Sequence, residues 1–203
     1  MTKVLAFGAH PDDLEVGMGG TVKKSSQKND VVLVIATIPN KKEQRRREAK
    51  NAAEVLGADL EILNIDPTKL IFGRAIVKKF DAVMRRHAPD VVYTHWNNDS
   101  HQDHVVVSQA VTAATRKNNC SLYMYEQTIP GGIVPSSFRA QLFVDISDVI
   151  EEKVSSVMSH KSQVKTNGDW WIYGIKGRAM YRGYQINVKY AEAFEVIKEI
   201  DTV

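Results

Sequence analysis

Residues 4–9 read VLAFGA and residues 31–37 read VVLVIAT. Both runs are apolar without the polar alternation of a half-exposed strand, which is typical of strands buried on both faces of a parallel sheet. Shorter apolar runs at residues 60–65, 91–94 and 122–125 repeat the pattern. Segments with helical periodicity separate these runs, so the chain alternates strand and helix. The sequence therefore predicts an α/β fold with a mostly parallel sheet.

The helical segments carry their own boundary signals. Residues 43–56 are rich in Ala, Glu, Arg and Lys and are followed by Gly57, a residue type that commonly ends a helix. One apolar face predicts a second helix, which ends before Pro89, and a third helix follows His104. The apolar faces of these two helices consist of Ile76, Phe80, Val83 and Met84 and of Val107, Ala110, Val111 and Ala114.

The pattern changes after residue 126. A turn-rich loop, a strand and an amphipathic helix are predicted in that order, at residues 129–137, 142–144 and 150–158. Residues 168–182 are rich in aromatic residues and show neither the helical nor the strand periodicity. Residues 188–196 fit a closing strand or a short helix. We see no internal repeat or linker, so we expect a single domain over residues 1–203 whose C-terminal third elaborates the sheet.

Composition excludes several classes of protein. The chain has 203 residues, of which 43% are hydrophobic, with 27 Lys and Arg against 24 Asp and Glu. The single cysteine, Cys120, excludes an internal disulfide framework, and no apolar stretch approaches the roughly 20 residues of a membrane span. The one dense basic run, residues 41–47, has no aromatic residue nearby to stack on a base. We expect a soluble, cytoplasmic protein that binds neither nucleic acid nor a membrane.

Two clusters of acids and histidines follow predicted strands. His10, Asp12 and Asp13 come directly after the first strand, and the sequence DSHQDH at residues 99–104 comes after the fourth. Ligands of open α/β sheets gather beyond the carboxyl ends of the strands, so neighbouring strands would bring both clusters to one crevice. His and Asp ligands suit zinc with one position left for water, and Fe²⁺ or Co²⁺ suits the same ligands. The sequence therefore predicts a metal site.

Zinc at such a site lowers the pKa of its bound water to about 7, which favours a metal-dependent hydrolase. Two alternatives stay open: a metal phosphohydrolase, and a non-catalytic protein that binds zinc or a sugar. The sequence GMGG at residues 17–20 lacks the full spacing of a dinucleotide-binding loop. We expect a helix to begin near these glycines, which would allow close approach to a strand or expose backbone N–H groups.

Residues 9–20, AHPDDLEVGMGG, resemble the signature of the LmbE-like (PIG-L) family of zinc-dependent N-deacetylases. The sequence His101-x-Asp103-His104 resembles the second motif of that family. Further similarity covers Arg45-x-x-Glu48-Ala49, His160-x-Ser162-Gln163 and YAEAF at residues 190–194. The resemblance implies a Rossmann-like three-layer αβα fold. It also implies removal of an acetyl group from an N-acetylated amino sugar, such as an N-acetylglucosamine conjugate.

The resemblance also implies a set of ligands and a catalytic pair. Zinc would be held by His10, Asp13 and His104. Asp12 would be the general base that deprotonates the zinc-bound water. His101 would stabilise the oxyanion or protonate the leaving amine.

Two further roles follow from the same resemblance. Asp103 would orient an active-site imidazole, and Arg45 would contact the substrate. Relatives of this fold often assemble, so a homo-oligomer is among the expectations.

Some aromatic and histidine residues fit two interpretations. Trp170, Trp171 and Tyr173 fit either a sugar-stacking platform at the mouth of the crevice or packing within the protein. His95 and Trp96 fit either a pocket wall or a structural role. For His160 we expect helix packing or support of the site, and not catalysis.

Overall fold

The structure is a computed structural model that describes residues 1–127, 129–134 and 136–200. Strands and helices alternate in its first half, as the sequence predicts. The strands are β1 (Lys3–Gly8), β2 (Asp30–Ile35), β3 (Asp59–Ile62), β4 (Val91–His95), β5 (Ser121–Tyr125), β6 (Leu142–Asp145) and β7 (Ala191–Lys198). The helices are α1 (Asp13–Ser26), α2 (Lys42–Leu56), α3 (Arg74–His87), α4 (Gln102–Thr115), α5 (Ile150–Met158), α6 (Lys161–Asn167) and α7 (Trp170–Gln185), with a short 3-10 helix at Pro67–Lys69.

The strands form a seven-stranded sheet in the order β3-β2-β1-β4-β5-β7-β6. The first five strands pair in parallel, and β7 is antiparallel to both of its neighbours. The predicted α/β fold with a mostly parallel sheet is confirmed. Strand β3 is shorter than the apolar run at residues 60–65, and Asn64 just beyond it turns the chain with a φ of 51°.

Helices cover both faces of the sheet and form the outer two of three layers. Alternate residues of β1 face opposite cores, as the pleat of a strand requires. Leu5 and Phe7 belong to the core that includes α3 and α4, whereas Val4 and Ala6 belong to the core that includes α1 and α2. The predicted apolar faces of α3 and α4 are buried in the first of these cores.

The C-terminal third adds α5 to α7 and the last two strands. Residues 168–182, which match neither period, contribute most of α7, where Gly174 and Gly177 weaken the helical signal. Of the two predictions for residues 188–196, the strand is correct. Across the described ranges, no helix combines the length and apolar character needed to cross a membrane.

Helix α1 begins at Asp13, so the prediction of a start near the glycines at residues 17–20 is wrong by about one turn. The glycines lie inside the helix and permit close packing on the sheet. A Cβ on Gly17 would lie 2.4 Å from Cδ2 of Tyr125, a distance that real Cβ contacts do not show. Helical geometry then breaks at Met18, where φ is −147° and ψ is 23°.

Two buried side chains satisfy the backbone at this break. Lys153 of α5 donates from Nζ to the carbonyl oxygens of residues 15–16 at 2.9 Å each and to Glu192 Oε1 at 2.6 Å. Glu192 of β7 accepts the backbone N–H groups of residues 20–21 at 3.0 and 2.6 Å. The side chains of Lys153 and Glu192 are only 1% and 4% exposed. The broken helix is therefore held by a buried ion pair from the C-terminal third.

The order of the strands reverses between β1 and β4. From β1 the chain builds β2 and β3 on one side and then crosses to build β4 and β5 on the other. Ligands of open α/β sheets bind at such a switch point, outside the carboxyl ends of the strands. Residues 10–13 follow β1 and residues 99–104 follow β4, so the fold brings both acid-and-histidine clusters to this crevice.

Candidate active site

The loop after β1 is a turn held by its own polar groups and by α2. The backbone N–H of His10 donates to Asp13 Oδ2 at 2.7 Å. Asp12 has a φ of 97°, a left-handed conformation that is rare outside glycine and clusters at functional sites. Arg45 donates from Nη2 to the carbonyl oxygen of Pro11 at 2.7 Å, and the same nitrogen is 3.4 Å from Asp12 Oδ1. Arg45 therefore supports this turn, while its role in binding substrate stays a prediction.

Asp13 lies at the centre of the histidine cluster. Its Oδ1 is 3.3 Å from His104 Nε2, and its Oδ2 is 3.7 Å from His10 Nδ1. The other nitrogen of each imidazole faces a second carboxylate at 2.9 Å, which is Asp103 for His10 and Asp99 for His104. A carboxylate on one ring nitrogen fixes the tautomer of a metal-binding histidine and leaves the other nitrogen for the metal. The cluster is therefore able to hold a metal ion.

Ligand atoms within 4.8 Å of one another form two overlapping groups: His10, His101 and His104, and Asp13, His95 and His104. His95 is the last residue of β4 and is fully buried. Its Nε2 lies between two partners, 2.9 Å from the backbone nitrogen of Ala9 and 3.2 Å from Asp13 Oδ2. The ring stacks on His104 with centroids 4.0 Å apart. His95 therefore packs beneath the cluster and connects the ends of β1 and β4.

His101 precedes the first turn of α4. Its Nδ1 accepts the backbone N–H of Asp103 at 3.2 Å, so this hydrogen bond assigns the proton of the neutral ring to Nε2. Burial, together with the nearby His104, lowers the pKa of His101. A neutral imidazole with its proton on Nε2 is a hydrogen-bond donor toward the crevice.

The pKa values of the two adjacent carboxylates in the loop, Asp12 and Asp13, are shifted in opposite directions. Burial and the negative charge of Asp13 raise the pKa of Asp12 to about 7. Burial also opposes ionisation of Asp13, but His104 and His95 outweigh it and hold the pKa of Asp13 well below its usual range. Such a separation is typical of sites where one carboxylate stays charged and its neighbour exchanges a proton near neutral pH.

These groups line a cavity of about 330 Å³. All six residues at which the sequence predicts contact with metal, water or substrate contribute to its wall: His10, Asp12, Asp13, Arg45, His101 and His104. Of the predicted aromatic platform, Trp171 lines the cavity and is 6% exposed. Trp170 and Tyr173 are 59% and 73% exposed and do not line it, so the platform is divided.

The other region of family similarity lies behind the site. His160 is fully buried, and its Nε2 is 3.4 Å from Glu15 Oε2. Glu48 of α2 accepts the backbone N–H of Ser162 at 2.9 Å and its hydroxyl at 2.6 Å. These contacts join the start of α6 to α1 and α2, as the expected packing role of His160 requires.

Three residues contribute to the site in ways that the sequence does not specify, although it does suggest a pocket wall or a structural role for His95. Asp99 belongs to the second cluster, but its contact with His104 was not foreseen. His95 and Gln127 are isolated in sequence, and Gln127 donates from Nε2 to Asp13 Oδ1 at 3.0 Å. Only their position in the sequence could have indicated a role for His95 and Gln127. His95 is the last residue of β4, and Gln127 lies two residues beyond the end of β5.

Residues 5–115 match the PIG-L family, described as GlcNAc-PI de-N-acetylase. This match covers more than half of the 203 residues. The chain belongs to the PIG-L family. The predicted resemblance is confirmed, and the matched segment contains both acid-and-histidine clusters.

The PIG-L chain has relatives that are named as deacetylases. It is 29% identical to the diacetylchitobiose deacetylase of Thermococcus kodakarensis over 229 residues, which cover 98% of this chain and 84% of the relative. It is 33% identical to the uncharacterized deacetylase YaiS of Escherichia coli K12 over 178 residues, which cover 78% of this chain and 90% of the relative.

The crystal structure of the conserved protein TT1542 from Thermus thermophilus superimposes on the PIG-L chain with a TM-score of 0.85 and 26% sequence identity. The match covers 100% of this chain and 98% of that one. The predicted three-layer fold is confirmed, and the chain is a member of a family of deacetylases.

Proposed function

We propose that this PIG-L protein is a zinc-dependent N-deacetylase that hydrolyses the acetamido group of an N-acetylated amino sugar or sugar conjugate. The observation that carries the proposal is the pairing of two histidines, each with one ring nitrogen on a carboxylate and the other toward Asp13. The name of the Thermococcus relative supports an acetylated sugar as the substrate.

The donor set fits zinc. Bonds of 2.0–2.1 Å in a tetrahedral site separate neighbouring ligand atoms by about 3.3 Å. His104 Nε2 lies 3.3 Å from Asp13 Oδ1, and His10 Nδ1 lies 3.7 Å from Asp13 Oδ2, so the two imidazoles approach different oxygens of the carboxylate. We assign the ion to His10, Asp13 and His104, because the other ring nitrogen of each imidazole lies on a carboxylate, as in metal-binding histidines. When bound, zinc supplies a Lewis acid that polarises the amide carbonyl and makes hydroxide available at neutral pH.

The chain supplies the proton transfers. Asp12 accepts the proton of the attacking water on its carboxylate, which lines the cavity beside the proposed ligands. His101 donates from Nε2 to the carbonyl oxygen as negative charge develops there. Asp103 holds the imidazole of His10, and its own backbone N–H fixes the tautomer of His101.

The alternatives have less support from the same cavity. A metal phosphohydrolase often uses two metal ions, whereas the two possible donor groups among the described residues share His104 and therefore fit one ion. A purely structural zinc site is usually closed by four protein ligands and has no use for a base such as Asp12.

The test is release of acetate from a panel of N-acetylated hexosamines, with phosphate esters measured in parallel. We expect acetate release that a chelator abolishes and zinc restores. Phosphatase turnover without any acetate release would overturn the proposal.

The role of Asp12 is tested by Asp12→Asn. We expect the variant to keep one zinc per chain and to lose about 100- to 10,000-fold in kcat, because a general base contributes roughly that factor. Asp148→Asn is the matched control, since Asp148 is 64% exposed and pairs with Lys24. Near wild-type turnover by Asp12→Asn would show that another group is the base.

A further inference from the structure

Helix α7 presents an apolar face on the outside of the protein. Large side chains that are each more than half exposed recur there at helical spacing: Trp170, Tyr173, Met180, Tyr181 and Tyr184. Gly174 and Gly177 lie on the same side of the helix, and a Cβ on either would meet nothing within 4 Å. We call these residues together the aromatic face. It consists of projecting rings with two open positions between them.

The aromatic face carries no charge. Within α7, every residue of which the structure describes, the charged residues are Lys176, Arg178 and Arg182, and each has a partner in the protein. Their partners are, in the same order, Glu151, the carbonyl oxygen of Val16, and Glu126. Since 25% of the residues of this chain are charged, a whole helix face without a charge is unusual for a surface that meets only water.

The area of the face is large enough for a specific contact. Fully exposed aromatic side chains present about 150–250 Å² each, so the aromatic face presents roughly 600 Å² per chain. The largest apolar patch of a typical monomer measures about 300–600 Å² and often binds a partner. Two such faces packed together would bury roughly 1,200 Å², which reaches the lower end of the range of stable protein interfaces.

A membrane surface fits this face less well. A helix that lies on a membrane combines its apolar side with Lys or Arg residues that meet anionic lipids. The three cations of α7 are instead engaged by groups of the protein itself. The charges of the helix therefore favour a protein partner over a lipid surface.

The chemistry of the face is matched by a second copy of itself. A protein partner has to present a similar uncharged surface, with projections and open positions of its own. The other exposed large apolar side chains of the described chain, apart from Ile186 next to the helix, lie outside α7: Met1, Ile71, Phe72, Ile133, Met158 and Ile197. A two-fold axis that crosses α7 would pack the rings of each copy against the open positions of the other.

From these observations we propose that two copies of this chain associate through the aromatic face of α7, related by a two-fold axis. The contact is independent of the reaction proposed above, because no residue of the aromatic face lines the cavity of the candidate active site. Failure of either proposal thus leaves the other standing.

The test is the mass of the full chain in solution, measured by sedimentation equilibrium over a range of concentrations. We expect the mass of two chains, or an even multiple of it. Tyr173→Glu and Tyr184→Glu should each raise the dissociation constant of the pair about 10- to 100-fold and halve the mass, because they bury an unpaired charge among aromatic contacts. Ile71→Glu is the matched control, since it adds the same charge at an exposed apolar residue outside α7.

Cross-linking tests which face is used. The single cysteine, Cys120, is 1% exposed, so Gly177→Cys gives the chain one reactive thiol at the centre of the aromatic face. We expect a short bifunctional maleimide to join two chains of Gly177→Cys and to leave Ile71→Cys unlinked.

Three results would overturn the contact. One is the mass of a single chain at every concentration, and another is an assembly whose mass neither Tyr173→Glu nor Tyr184→Glu changes. The third comes from flotation with vesicles of phosphatidylcholine and phosphatidylserine. If a monomeric wild type binds these vesicles and Tyr173→Glu does not, the aromatic face meets a membrane and not a second copy.

Discussion

Lys153→Met removes the cation that holds the break in α1 while keeping most of the volume of the side chain. Three hydrogen bonds from Nζ are lost, and the carboxylate of Glu192 stays buried with only the backbone N–H groups of residues 20–21 as partners. Two carbonyl groups at residues 15–16 also lose their donor. Burial alone lowers the pKa of Lys153, whereas the charge of Glu192 opposes that shift and favours the ammonium form.

The loss of stability expected for Lys153→Met follows from the charge of Glu192, which is left without a counter-ion. Removing one partner of a buried ion pair costs about 3–5 kcal/mol, because the remaining charge is left without a counter-ion. For a chain of this size, about 2–4 °C in Tm corresponds to each kcal/mol. We therefore expect Tm to fall by about 6–20 °C. Activity should fall as well, since α1 follows directly from the loop that carries Asp12.

The assay is urea unfolding and thermal melting of Lys153→Met beside Lys176→Met. Lys176 is a matched control, because its Nζ also has a carboxylate partner, Glu151 at 3.0 Å, but that pair is exposed. Exposed pairs contribute about 0.2–1 kcal/mol, so the control should change little. The double variant Lys153→Met with Glu192→Gln should recover part of the loss, because it leaves no buried charge. Equal losses for Lys153→Met and Lys176→Met would refute the reasoning.

Two other substitutions test the packing of α1 and the role of Arg45. Gly17→Ala should destabilise the protein by about 1–3 kcal/mol because its Cβ meets the ring of Tyr125, whereas Gly177→Ala in α7, where a Cβ meets nothing within 4 Å, should stabilise it by about 0.5–1 kcal/mol in the same melts. Stabilisation by both would show that the glycine contact is unimportant. Arg45→Lys should lower kcat more than it raises KM, because the guanidinium supports the turn that holds Asp12; a change in steady-state kinetics confined to KM would instead identify Arg45 as a substrate contact.

The sequence was most informative where one physical constraint dominated. Apolar runs without alternation identified the central strands, because a strand covered on both faces has no solvent side. The clusters at residues 10–13 and 99–104 were visible because acids and histidines that stand together at a strand end have little use in folding alone. The predicted start of α1 is wrong because glycines are common at helix ends, and those at residues 17–20 therefore suggested one. Gly17 instead lies inside the helix, where its lack of a side chain leaves room for Tyr125.

What could not be read from the sequence depends on contacts between distant segments. His95 and Gln127 join the site through the pairing of β4 and β5 beside β1, and neither carries a local motif. A cavity of about 610 Å³ is lined both by Tyr181 and Arg182 of α7 and by the loop that follows β5, which are distant in sequence. Residues 168–182 gave no clear period because one side of α7 packs on the protein and the other presents exposed aromatic residues such as Tyr173.

The ion pair at the break in α1 has a consequence for synthesis of the chain. Both acid-and-histidine clusters are translated within the first 104 residues, but Glu192 closes its hydrogen bond to Thr21 across 171 positions. During synthesis, the acids and histidines of both clusters therefore leave the ribosome well before β7, the strand whose Glu192 stabilises the break in α1. The buried pair forms only when β7 inserts between β5 and β6, so the proposed metal ion would bind an incomplete scaffold if it arrived earlier.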